Sequence, residues 1–165
     1  MVGQGAPRIE RLRDVPPGGL DALVAESEAA GLALVRRLVA DWASGANRFD
    51  RPREALFAAW WDGGVIGVCG LNLDPYAAVP GVGRVRHLYV LVAHRRLGVG
   101  RRLVEAVVAA ARDGFATLRL RTGNPEAARL YEGLGFRRRL DVPECTHVLD
   151  LDAARPTPAS RGRDA

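Results

Sequence analysis

Ile9, Leu12 and Val15 alternate loosely with arginine and glutamate, which predicts a first strand within residues 7–15. Gly18 and Gly19 then interrupt the chain. Leu20, Leu23 and Val24, and after Gly31 also Leu34, Val35, Leu38, Val39 and Trp42, recur at three- and four-residue spacing. That is the apolar stripe of a helix, and the glycine divides it into two consecutive helices. Residues 46–52 are polar, contain a proline and predict a loop. Two apolar runs, 55–61 and 65–73, flank Asp62-Gly63-Gly64, the signature of an antiparallel hairpin. Residues 74–83, with two prolines and two glycines, predict another loop.

Residues 85–92 form a nearly continuous apolar run, the mark of a strand covered on both faces near the middle of a sheet. Gly98 opens a helix with Val99, Leu103, Val107 and Ala111 on one face. Residues 117–121 alternate, Leu118 and Leu120 against Thr117, Arg119 and Arg121. Asn124 is a good N-cap, Pro125 suits the first helical position, and Ala127, Leu130, Tyr131 and Leu134 follow at i, i+3, i+4 and i+7. Gly135 supplies a left-handed stop, and residues 136–140 and 146–151 read as the last two strands. The order β-α-α-β-β-β-α-β-α-β-β predicts the α/β class, an α+β mixed sheet of about seven strands flanked by about four helices. The expected organisation is one domain over residues 1–152 and a disordered Pro/Ala/Ser/Arg tail over 153–165.

Composition narrows the choice. A chain of 165 residues, 48% apolar and 26% charged, suits one soluble globular core. The longest apolar stretch, residues 55–61, is far below the roughly 18 residues needed to span a bilayer, so no membrane association is expected. Residues 1–6 lack the basic segment and apolar run of a secretory signal, so a cytoplasmic location is expected. Cys69 and Cys145 stand far apart without a partner motif, which predicts core thiols rather than a disulfide or metal site. The 24 basic residues are all arginine and the 19 acids leave a net charge of +5; the tail, with three Arg and one Asp, carries +2 of it. The remaining +3 is too mild for a nucleic-acid partner on charge alone.

The segment Arg95-Arg96-Leu97-Gly98-Val99-Gly100-Arg101-Arg102 joins the long strand to its helix. A helix start exposes unpaired N–H groups and the positive end of the macrodipole, so four arginines there call for a compensating anion. The two glycines would let its oxygens approach the amides, as a pyrophosphate requires; the plain alternative is a tight turn with solvated arginines. The segment is neither a Rossmann fingerprint, because Leu103 stands where a third glycine belongs, nor a Walker loop, because no Gly-Lys-Ser/Thr is present.

Leu88-Tyr89-Val90 through Arg95-Arg96-Leu97-Gly98-Val99-Gly100 resembles motif A of the GNAT superfamily of acyl-CoA-dependent N-acetyltransferases, Arg/Gln-x-x-Gly-x-Gly/Ala. Asn124-Pro125-Glu126-Ala127-Ala128-Arg129-Leu130-Tyr131-Glu132-Gly133-Leu134-Gly135-Phe136 resembles the family's motif B, Asn-x-x-Ala-x-x-Leu-Tyr-x-x-x-Gly-Phe. The two stand in order with a strand between them; residues 7–60 match in element pattern rather than in motif. The resemblance implies acetyl-CoA as cosubstrate and no metal. It implies that the amides of Arg96, Leu97, Gly98, Val99, Gly100 and Arg101 hold the pyrophosphate, with Arg95 also among the cofactor-binding residues. Leu88 and Val90 would offer their backbone to the pantetheine arm as to an added strand, with Tyr89 between them also among the cofactor-binding residues. Asn124 would contact the arm, and Tyr131 would protonate the departing thiolate, as a phenol with pKa of roughly 10 can. Tyr131 as a core aromatic and Asn124 as a helix cap are the plain alternatives. The acceptor would be a small-molecule or peptide amine, and homodimers are frequent in such a family. With no lysine, the chain offers no side-chain amine for its own acylation.

One departure stands out. Many relatives carry a glutamate as general base four residues before the position of Leu88, and this chain has Arg84, which cannot accept a proton. Strict alternation along a strand would put Arg84 and Arg86 on one face with Leu88 and Val90, and His87 on the other. A positive acceptor side then suits an amine on a molecule with an anionic group; ion pairing of the arginines to Asp74 or Glu54 is the alternative. The base is open among Asp74, Glu54, Glu144, His147 and water. Two other functions remain: a CoA-binding regulatory protein without acceptor chemistry, and a nucleic-acid module, the latter disfavoured by arginine clusters without interleaved aromatics.

Overall fold

In the computed structural model residues 5–151 are described; the tail over 153–165 and most of the N-terminal segment weighed as a signal lie outside the described residues. Strand β1 (Arg8–Leu12) is followed by helices α1 (Asp21–Ala29) and α2 (Leu34–Ser44), and then by β2 (Ala55–Trp61), β3 (Gly64–Leu73) and β4 (Val82–Val90). A 3₁₀ turn (Val92–His94) leads into α3 (Val99–Ala111), and β5 (Thr117–Leu120), α4 (Pro125–Gly133), β6 (Arg137–Arg138) and β7 (His147–Asp150) complete the chain. The sheet has seven strands in the order β1-β2-β3-β4-β5-β7-β6, and the mixed-sheet expectation holds. All neighbours are antiparallel except β4 and β5. Among the described residues no helix is long and apolar enough to cross a membrane.

The local signals explain most of these elements. Asp62 and Gly63 both have positive φ (48° and 77°), the geometry of a two-residue turn that matches strand twist, and Trp61 faces Gly64 across it. Asn124 caps α4 by accepting the amides of Glu126 and Ala127, with Pro125 at the first helical position. β4 starts at Val82, three residues before the expected position, because its first residues pair on both sides: with β3 at 71–73 and with β5 at Thr117–Arg119. The 3₁₀ turn takes the place of the strand's expected last residues. β1 and β6 are shorter than their apolar patterns predicted.

Two apolar layers cover the sheet. On one face α3 inserts Leu103, Val104, Val107 and Ala111 among Cys69, Leu71, Val85 and Leu118. On the other, α1 and α2 set Leu23, Val35 and Leu38 against Leu56, Val68 and Tyr89. Each fully buried leucine contributes roughly 1.5–3 kcal/mol, so both layers are secured by a few side chains. Phe49 lies flat on β3: a Cβ at Gly70 would stand 2.5 Å from Phe49 Cε1, so only glycine leaves room for the ring.

Candidate active site

The site begins where β4 and β5 part. They pair only at Val82–Thr117, Gly83–Leu118 and Arg84–Arg119. β4 then continues to Val90 with β3 as its sole strand partner, while the Leu120 carbonyl turns to the Thr146 amide. Leu91 N–H donates to the Ile66 carbonyl at 2.8 Å and Val90 faces Gly67 in the register, so the N–H and C=O of Val90 point away from β3 into the gap. An exposed strand edge of this kind is a template for an extended ligand.

A bulge reshapes the strand before that point. Gly70 faces Arg86 and Val68 faces Tyr89, so Cys69 alone spans His87 and Leu88, and His87 has φ of 59°. The extra residue reverses the alternation. Val85, Leu88 and Val90 pack on the α3 side, while Tyr89 enters the layer under α1 and α2. Arg84 and Arg86, opposite Val85, therefore do not share a face with Leu88 and Val90, contrary to the regular pleat expected from sequence.

The loop into α3 is a cradle of free amides. Arg96 and Gly98 both have positive φ (62° and 78°), and none of the N–H groups of residues 96–101 finds an acceptor among the described residues; Arg102 is the first to bond, to the Gly98 carbonyl. Successive free amides and a helix N-terminus together form an anion-binding concavity. The arginines are less exclusively available than their sequence implied. Arg96 lies 3.5 Å from Glu126, Arg101 lies 3.0 Å from Glu105, and Arg102 donates to the Pro7 carbonyl. Arg95 donates from Nε to the Val90 carbonyl at 2.8 Å and lays its guanidinium 5.2 Å from the centre of the Tyr89 ring. Tyr89 in turn donates to Glu26 of α1, which also accepts the Val92 amide, both at 2.8 Å.

α4 supplies the opposite wall. Tyr131 is 5% exposed, edge-on to Phe136 with ring centres 5.5 Å apart, and its hydroxyl bonds to no described residue. Burial, and then the neighbouring Cys69 thiol, raise its pKa above the ordinary phenol value. The same surroundings push the Cys69 thiol up to about 12. Beside Tyr131, His147 is tied at both ring nitrogens, to Glu132 at 3.0 Å and to Thr146 at 2.9 Å, which spends it structurally. Glu54 is spent too, accepting Asn72 Nδ2 and the Leu73 amide. Glu144 stands on the cleft wall, 2.6 Å from Arg121.

The other end of the cleft is positive. Arg84, Arg86, His87 and, from α2, Arg37 line it. Asp74 lies behind Arg84 with 3.7 Å between Oδ1 and Nη1. Burial and the Arg86 charge lower the pKa of His87 from 6.5 to about 4, so its imidazole is neutral at pH 7. Glu26 and Arg37 escaped the sequence reading, and His87, expected on the face away from Leu88 and Val90, lines the cleft. For Glu26 a signal existed, a carboxylate three residues after Leu23 on the packing side of α1; His87 needed the bulge.

One cleft of about 1290 Å³ joins these parts. Of the site residues expected from sequence, all but Leu97 and Asp74 line it; Leu97 is exposed and Asp74 is behind Arg84. The family model for the acetyltransferase (GNAT) domain matches residues 52–138, which is 87 of the 165 residues and contains both the loop and α4. Among solved structures, an acetyltransferase-type protein from Exiguobacterium sp. 255-15 is 29% identical, with TM-score 0.80, over 91% of this chain and 97% of that one. The GNAT family N-acetyltransferase YhbS from Escherichia coli, solved in complex with CoA, is 22% identical, with TM-score 0.63, over 92% of this chain and 86% of that one. An acetyltransferase-type protein from Salmonella typhimurium, solved with acetyl-CoA, is 16% identical, with TM-score 0.64, over 94% and 99%. No curated protein sequence matches. The split sheet, the amide cradle and the family match across both agree, and the chain belongs to the GNAT family of acetyltransferases.

Proposed function

We propose that the protein moves the acetyl group of acetyl-CoA directly to a primary amine on a molecule that also carries an anionic group. The run of unpaired amides at 96–101, opening onto a free strand edge that leads towards Tyr131, carries this reading. The diphosphate of CoA fits the cradle by charge and by the number of donors, and the CoA and acetyl-CoA bound to the Escherichia coli and Salmonella typhimurium proteins support the assignment. The backbone groups of Val90 would hold the pantetheine arm once Arg95 releases the carbonyl, and a strand amide near Val90 would receive the oxyanion.

In the reaction the neutral amine nitrogen forms a bond to the thioester carbon, the C–S bond breaks, the sulfur takes the Tyr131 proton, and the proton shed by the new amide nitrogen passes through water to restore Tyr131. Burial makes Tyr131 a weaker acid than a free phenol, which alone would oppose the transfer. Desolvation raises a thiol as well, the direction it takes for Cys69, so a thiol leaving into the same closed cleft would be shifted in the same direction as the acid. At the positive end of the cleft the Asp74 carboxylate lies buried behind Arg84, and the acceptor would lose its ammonium proton to water.

Thiol release from acetyl-CoA over a panel of amines, together with calorimetry of CoA binding, tests the proposal. Tyr131→Phe should lower kcat by about 100-fold or more and leave the affinity for CoA unchanged. A protein that binds no CoA, or a Tyr131→Phe variant with unchanged kcat, contradicts it.

A further inference from the structure

Four buried side-chain polar atoms lack a hydrogen-bond partner among the described residues, and three of them are Arg84 Nη1, Asp74 Oδ2 and His87 Nε2; Arg84 and His87 line the cleft and Asp74 lies behind Arg84. Folded proteins rarely leave such groups unmatched, and a cluster of them marks a place where something else supplies the partner. The Arg84 side chain is 9% exposed and that of Asp74 1%. Their closest approach, 3.7 Å, is too long for a hydrogen bond, so the pair shares charge without satisfying Arg84 Nη1 or Asp74 Oδ2, while Asp74 Oδ1 accepts the Tyr76 amide at 2.9 Å. The guanidinium is also flanked by the Tyr76 ring, 4.9 Å from its carbon to the ring centre, on a loop residue that is itself exposed.

From this geometry we propose that Arg84 is the carboxylate anchor of the acceptor, and that the acceptor is a free amino acid with an apolar side chain. The inference rests on the acetyltransferase reading above and adds the substrate class. A planar monoanion suits the part of this guanidinium that lines the cleft. It sets a single negative charge beside Asp74, whereas a phosphate dianion would set twice the charge against Asp74 at the same guanidinium. Arg37 and Arg86, for which no carboxylate lies within ion-pair distance among the described residues, add to the attraction from the same wall. Leu32, Leu34 and Tyr76 contribute apolar surface to that cleft, which fits the side chain of such an amino acid.

The test offers L-leucine, L-methionine and L-phenylalanine to the full-length enzyme with acetyl-CoA, each beside its C-terminal amide, together with the aminophosphonate analogue of leucine. The free acids should exceed the amides in kcat/KM by roughly 10- to 100-fold, the range a charge-assisted hydrogen bond provides, and the aminophosphonate should be poorer than leucine. In Arg84→Lys the ratio of acid to amide should collapse towards one, and the double variant Arg84→Gln/Asp74→Asn, which leaves no unpaired buried charge, should behave alike if the lysine variant folds poorly. Amides used as well as acids, a preferred aminophosphonate, or an acid preference surviving in both variants overturns the proposal. So does a failure to acetylate any of these amines. In that case calorimetry separates the two readings: retained CoA binding leaves the acetyltransferase reading standing, and lost binding removes both.

Discussion

His87 carries an unusual combination for one side chain: positive φ, edge-on contact with Phe49 at 6.2 Å and a pKa lowered to about 4. Burial is the main cause and the Arg86 charge comes second, with Arg37 in the same direction; the Leu34 carbonyl and Asp41 oppose them. In the unfolded chain the imidazole titrates at 6.5, so between pH 6.5 and about 4 the unfolded state binds a proton that the folded state refuses. Stability contributed by neutral burial is fully present above pH 6.5 and is lost as the pH falls towards 4, by up to about 3 kcal/mol. His87→Asn, which tolerates the left-handed backbone, should flatten this acid limb. Urea midpoints at pH 7.0 and 4.5 measure it, and equal losses in both proteins would show that His87 is not the titrating group.

At the level of elements, the parts with local causes were legible and those with tertiary causes were not. The Asp62-Gly63 turn, the Asn124 cap and the α3 stripe are each decided within a few residues, and the sequence placed them correctly. The bulge at His87 depends on which β3 residues face β4, a choice no pattern within β4 encodes, so the faces of Arg84 and Arg86 were assigned the wrong way round. The candidate site followed the same rule: the loop and α4 were readable as motifs, whereas Arg37 and Glu26 reach the cleft only because α1 and α2 pack over β4. The loop itself gives an element-scale prediction. Gly98 holds φ of 78° with no atom within 4 Å of a Cβ built on it, so an added methyl meets no clash and acts through backbone strain alone. Gly98→Ala should cost about 1–2 kcal/mol of stability and, by tilting the amides of residues 96–101, weaken CoA binding while kcat at saturation changes little. A thermal melt and a CoA titration separate these effects; unchanged affinity would mean that the amides do not hold the diphosphate.

On the scale of the whole molecule, the sheet is continuous between β1–β4 and β5–β7 through only three residue pairs, Val82–Thr117, Gly83–Leu118 and Arg84–Arg119. Beyond them the halves diverge, with the edge of β4 on one side and Tyr131 and Glu144 on the other. A ligand lying along that edge and reaching α4 would restore the missing contact between halves, so its binding energy would add to the cooperativity of folding. At a concentration 100 times its Kd, CoA should raise the unfolding free energy by about 2.7 kcal/mol, provided the unfolded chain does not bind it. For a chain of this size that corresponds to an upward shift in Tm of roughly 5–11 °C. Stabilisation alone would not locate the ligand, but hydrogen exchange does. The amides of residues 96–101 and of Val90 have no acceptor among the described residues, so they should exchange fast in the free protein and slow markedly with CoA. The amide of Leu91, already bonded to Ile66, should change far less. Protection confined to the loop would mean that the arm does not follow the strand, and protection spread evenly over both halves would mean general tightening rather than a bridge across the split.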